Sequence, residues 1–99
     1  MESTDAVLKK LKSCMPVLTG KYNVRRVGVF GSYVRNEQKE NSDLDILVDF
    51  EPDAKFGLIR FIEMENYLSD ATGLKVDLVM KEGLKPRIGK KILDEVKYL

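Results

Sequence analysis

The chain has no histidine and no tryptophan, and a single cysteine among its 99 residues. Without histidine, a Cys/His zinc site and a Ser-His or Cys-His nucleophile are both excluded. The lone Cys14 rules out an internal disulfide and reads as a reduced, inert thiol. No apolar run approaches the ~18 residues of a membrane span, and the N-terminus lacks the hydrophobic region of a secretory signal. The expectation is a cytoplasmic protein with no membrane contact. Any chemistry must rest on carboxylates, Ser, Lys, Arg or Tyr.

A strong charge of either sign is missing too: 17 basic residues against 16 acidic ones give a net charge of +1. No global field draws the chain to nucleic acid or anionic lipid, so no direct nucleic-acid partner is expected. Residues 81–99 lean basic, with six Lys or Arg against three acids, as a solvated helix face would. The length fits one domain, residues 1–99, with an economical core. A large substrate would need a second protein to complete the site.

What is present is a regular alternation of patterns. Ser3 or Thr4 can cap a helix with Val7, Leu8, Leu11, Met15 and Leu18 on one face, which Pro16 should kink or shorten. "VRRVGVF" reads as a buried strand, followed by Gly31-Ser32 and a polar stretch whose first half can form a short helix. "DLDILVDF" alternates cleanly: Leu44, Ile46, Val48 and Phe50 point one way, Asp43, Asp45, Leu47 and Asp49 the other. A loop, a helix from Leu58 to Ala71 capped by Gly73, a strand "KVDLVM" and a closing helix "LKPRIGKKILDEVKYL" complete the order. The fold class is α/β (α+β), a small mixed sheet of three or four strands flanked by helices.

Two acids one residue apart in a strand share a face, roughly 6.6 to 6.8 Å apart along the backbone. Asp43 and Asp45 therefore repel each other and resist desolvation unless a cation neutralises them. Asp77 stands at matching parity in the next strand, and three such oxygen ligands suit Mg²⁺. A lone D-x-D is more often solvated, and Asp49, beside an acidic loop, fits that reading. Gly31-Ser32 alters the balance by ending one strand and opening a short helix, where backbone N–H groups favour phosphate.

"GSYVRNEQKENSDLDILV" resembles the Gly-Ser, ten residues, Asp-x-Asp signature of the minimal nucleotidyltransferases, in the DNA polymerase β-like superfamily. That resemblance implies a polymerase β palm-like fold. It implies that Gly31 and Ser32 hold the β- and γ-phosphates of ATP, that Asp43 and Asp45 hold two Mg²⁺ ions, and that Asp77 supports the catalytic metal and activates the attacking hydroxyl. Arg35 matches an Arg common in the family, but the Gly that usually follows is Asn36 here. A phosphate contact and a salt bridge to Glu37 or Glu40 are both open for Arg35.

The resemblance further implies AMP transfer from ATP to a tyrosine of a HEPN-domain toxin, making the chain an antitoxin that could form a hetero-oligomer with that toxin. Two other readings are a non-catalytic antitoxin acting by occlusion, and the nucleotide-binding subunit of a small-molecule transferase. Exposed apolar positions on the last helix, or around Phe56 and Tyr67, are candidate partner contacts.

Overall fold

The computed structural model describes residues 3–54 and 57–99, so Phe56, a candidate partner contact, lies outside the described residues. Ser3 caps the first helix, α1 (Thr4–Lys21), by accepting the Ala6 N–H at 3.2 Å. Contrary to the expectation for Pro16, α1 runs through it. The missing N–H falls on an exposed face, where water can take the orphaned carbonyl, and Val7, Leu11, Cys14 and Leu18 stay buried on the other side.

Next come β1 (Val24–Phe30), a 3-10 turn at Gly31–Tyr33, β2 (Leu44–Phe50), α2 (Leu58–Thr72), β3 (Val76–Met80), a second 3-10 turn at Lys81–Gly83, α3 (Pro86–Glu95) and β4 (Lys97–Tyr98). The sheet order is β3-β2-β1-β4. β2 pairs with β1 antiparallel and with β3 in parallel through the crossover helix α2, and β4 adds antiparallel to β1.

One face of the sheet is the core. Val24, Val27, Val29, Leu44, Ile46, Val48, Phe50, Val76 and Leu78 meet α1 and α2 there. The two helices run antiparallel, Lys10 Nζ donating to the Thr72 carbonyl at one end and the Tyr22 hydroxyl to Glu63 Oε1 at the other. α2 spans close to the expected residues and buries Met64, Leu68 and Thr72, with Phe61 packed against the core beside them. Leu58, Ile59 and Ile62 are exposed, and Tyr67 packs against the core instead of offering a partner contact. Side chains of α2 also reach the outer edge of β3, where Ser69 Oγ accepts the Val76 N–H and Glu65 Oε2 the Leu78 N–H.

The closing helix is shorter than its periodicity suggests. It stops at Glu95, and residues 97–98 form β4, because Val96 and Tyr98 find a better place across β1. A Cβ on Gly28 would lie 2.5 Å from Val96 Cγ2 and 3.1 Å from a Tyr98 ring carbon, so glycine there makes room for both. The Arg26 guanidinium stacks on the Tyr98 ring at 3.7 Å from its centroid. Along α3 the apolar stripe remains largely uncovered, with Ile88 and Leu93 exposed as the sequence allowed for a partner surface.

At the far end of β2, Asp49 corrects the expectation of a solvated acid. It is buried, and its Oδ2 lies 3.8 Å from both Arg25 Nη2 and Lys81 Nζ. Arg25 is the extra residue of a bulge between Val24 and Arg26 in β1, and Lys81 follows Met80, which pairs with Val48 in the parallel ladder, so the two cations reach this acid from the strands on either side.

Two glycines should respond with opposite signs. Gly28→Ala is expected to destabilise by about 1–3 kcal/mol by displacing Val96 and Tyr98. Gly20→Ala, in α1 where a Cβ meets nothing within 4 Å, should stabilise by up to about 1 kcal/mol. Urea unfolding of both variants checks this, and equal effects would contradict the packing assigned to β4.

Candidate active site

Opposite the core face, β1 and β2 bring the predicted residues together. Phe30, the last residue of β1, pairs with Asp45, and Asp45 pairs across the parallel ladder with Asp77. Asp45 is thus flanked in register, with Asp43 two residues before it. Asp45 and Asp43 are half-buried, and Asp77 is exposed on the edge strand.

Gly31 turns the chain directly over Asp45. Its φ of +79° is one that residues with a Cβ rarely adopt, and a Cβ there would run into Asp45 Oδ2. Both conformation and close approach therefore demand glycine. The turn that follows is fastened from below: Val34 and Arg35 donate their N–H groups to the Gly31 carbonyl at 3.1 and 3.2 Å, and Glu37 donates to the Ser32 carbonyl at 2.9 Å. The Ser32 hydroxyl makes no hydrogen bond to the described residues and stays available to a ligand. The opening N–H groups of such a turn lack helical partners, as suits an anion.

Asn36 replaces the usual glycine without changing the backbone, since its φ is +56°, in the left-handed region that Asn tolerates. The Thr4 hydroxyl, which donates to the Tyr33 carbonyl, lies 3.3 Å from Asn36 Oδ1 and ties the turn to the start of α1.

Arg35 is in ion pairs. Its Nε meets Glu37 Oε2 at 3.0 Å, and its Nη1 meets both carboxylate oxygens of Glu95 at 2.8 Å. Glu37 was one of the two acids considered from sequence; Glu95, sixty residues away, carried no local signal and was missed. The only trace it leaves is an acid in the last residue of a helix, where the dipole disfavours one.

Crowding is registered electrostatically. Burial first, then repulsion by Asp77 and Asp43, pushes the Asp45 carboxyl up to about 6; Arg35 opposes this and Glu95 adds to it. Among the described residues no three His, Cys, Asp or Glu are arranged to hold a metal ion as they stand. The donor set nevertheless fits Mg²⁺ in kind: carboxylate oxygens only, and a central acid whose charge is crowded by its neighbours and would be relieved by a cation. A cavity of about 400 Å³ lies under α3 beside Leu84 and Leu93, and another of about 300 Å³ lies between Thr4, Asn36 and Lys97; neither is lined by the three acids, whose chemistry is what marks the site.

A glycine-fastened turn pressed against the central one of three acids agrees with the comparisons to known proteins: the nucleotidyltransferase domain family matches residues 8–99. The chain belongs to that family. The protein adenylyltransferase MntA of Thermococcus cleftensis is 56% identical over 82 residues, 83% of this chain and 81% of that protein. A solved structure assigned as a minimal nucleotidyltransferase superposes with a TM-score of 0.79 at 33% identity, covering 99% of this chain and 97% of the other. At 21% identity, where likeness speaks for fold alone, the chain is also similar to a tri-AMPylated Shewanella oneidensis HEPN toxin in complex with its MNT antitoxin. That match has a TM-score of 0.60 and covers 96% of this chain and 67% of the other. Among the described residues no helix is long and apolar enough to cross a membrane.

The raised Asp45 pKa carries a sign. A carboxyl that holds its proton more tightly when folded contributes stability that is full below about 3.8 and is lost as pH rises through about 6. In EDTA, the wild-type chain should therefore lose on the order of 1–2 kcal/mol relative to Asp45→Asn between about pH 4 and about pH 7. Urea midpoints of both proteins across that range test it; parallel curves would mean that Asp45 is not crowded.

Proposed function

We propose that this chain is a single-domain, Mg²⁺-dependent protein adenylyltransferase that moves AMP from ATP to a tyrosine hydroxyl of a partner HEPN toxin, and so serves as an antitoxin. The observation that carries the reading is Gly31 seated against Asp45, with Asp77 in register across the ladder. A phosphate cradle thereby touches the acids that a phosphate-bound cation needs. The identity to MntA supports protein as the acceptor class, and the partner is assigned by analogy with the HEPN–MNT complex that shares the fold. A cytoplasmic setting fits a chain whose single thiol, Cys14, is free and buried.

Each residue has a task. Gly31 admits the polyphosphate close to the backbone, and the free hydroxyl of Ser32 donates to a β- or γ-phosphate oxygen. Arg35, rooted in the same turn, supplies a guanidinium for the phosphates. Asp43, Asp45 and Asp77 would hold two Mg²⁺ ions, which when bound stabilise charge on the attacking and leaving oxygens. Asp77, on the open edge strand, can reach an incoming hydroxyl and take its proton as the oxygen attacks the α-phosphorus. The bond from the α-phosphorus to the bridging oxygen breaks, and pyrophosphate leaves with the electron pair. Most of the rate comes from positioning and charge, which is how a chain without histidine can run the reaction.

Purified protein with Mg²⁺, a lysate of its source cells and ATP labelled at the α-phosphate tests this directly. The wild type should label one protein band, and the Asp43→Asn/Asp45→Asn variant none, while melting in EDTA no earlier than wild type. Bound ATP with no labelled protein would shift the reading to an antitoxin that acts by occlusion; label on a small molecule would make the chain a small-molecule transferase. Ser32→Ala is expected to weaken ATP binding by about tenfold while leaving Mg²⁺ binding unchanged, and unaltered ATP affinity in calorimetry would remove Ser32 from the cradle.

A further inference from the structure

Arg35 and Glu95 form a contact at the site for which the reaction as described has no use. Both carboxylate oxygens of Glu95 sit 2.8 Å from Arg35 Nη1. The Glu95 side chain is 21% exposed against 63% for Glu37, so Glu95 is the better shielded of the two partners. Its position is locally unfavourable twice over: it ends α3, at the negative pole of the helix, and it adds to the repulsion on Asp45. Arg35 is the cation that offsets both. Breaks in local rules of this kind gather where function requires them.

We propose that Glu95 is a positioning residue that holds Arg35 beside the phosphate turn in place of a phosphate, so that nucleotide binding exchanges one anion for another on the same guanidinium. This rests on the nucleotidyltransferase reading of the site. The two partners differ in freedom to move. Glu95 is followed by Val96, which donates its N–H to the Ile92 carbonyl at 2.9 Å and packs over Gly28, so the backbone that carries the carboxylate is anchored to the sheet. Arg35 is exposed, with a long side chain and its Nη2 uncommitted among the described residues. An arriving triphosphate draws the guanidinium away from a fixed carboxylate, and leaves that carboxylate facing the loaded site. Affinity is thereby set below what the cradle alone could reach, and the empty site keeps its arginine close by.

The test measures the Kd of AMP-PNP with Mg²⁺ by calorimetry. Glu95→Gln should bind about fivefold tighter than wild type, and Glu37→Gln should stay within about twofold. Arg35→Ala should bind about tenfold weaker, and in that background Glu95→Gln should change affinity by less than about twofold. Glu95→Asp keeps the charge but shortens the reach, so it should also bind tighter than wild type; it stands in if Glu95→Gln does not fold. Weaker binding by Glu95→Gln would overturn the exchange, as would a gain that persists without Arg35, since that gain would come from net charge alone. A purely structural Glu95 would lower the melting temperature and leave Kd unmoved, which also overturns it. If wild type binds no AMP-PNP, the functional reading itself fails, and this inference with it.

Discussion

Asp45 and Asp77 occupy paired positions on neighbouring parallel strands, and Asp43, just before β2, is close enough to repel Asp45. Carboxylates at that spacing repel, and the sheet register leaves them no way to separate without unpairing β2 from β3. The rest of the molecule accommodates this crowding. The main hydrophobic core, on the opposite face, supplies most of the stability, so the end of the sheet that carries the acids can be electrostatically poor. Gly31 reverses the chain at the one position where a side chain would collide with the central acid.

Distant segments converge on the same few ångströms. Thr4 steadies the phosphate turn from the start of α1, and Glu95 reaches Arg35 from the end of α3. Gly28 admits Val96 and Tyr98, which fixes where α3 must end. The site is therefore a product of the whole topology: its residues come from positions 4 to 98, and no local segment would assemble it alone.

Period-two alternation in "DLDILVDF" and "KVDLVM" was enough to put Asp43, Asp45 and Asp77 on one face, because strand parity is a local property. The Gly-Ser turn and its distance from the acids were legible for the same reason. What escaped was settled by tertiary contacts. The last residues read as helix by periodicity, yet two of them pair with β1, since space over a glycine some seventy residues earlier leaves no trace in the local pattern. Asp49 looked solvated because its partners, a bulge arginine and a lysine after β3, are not its sequence neighbours. The left-handed turn at Asn36 could have been anticipated from the tolerance of Asn for that conformation, whereas Glu95 could not.

Exposed strand edges ordinarily invite another chain to add on by backbone pairing. On the outer side of β3, Ser69 and Glu65 already occupy the N–H groups of Val76 and Leu78. On the outer side of β1, β4 covers the end nearest the site, and the remainder is bent by the bulge and flanked by Arg25 and Arg26. The long strands thus offer little free backbone, and β4, the outermost strand on that side, is only two residues long, which guards against edge-to-edge aggregation. A protein that must meet another one to work is left to be recognised through its side chains, on helix faces such as the uncovered stripe of α3, with its own sheet kept out of the bargain.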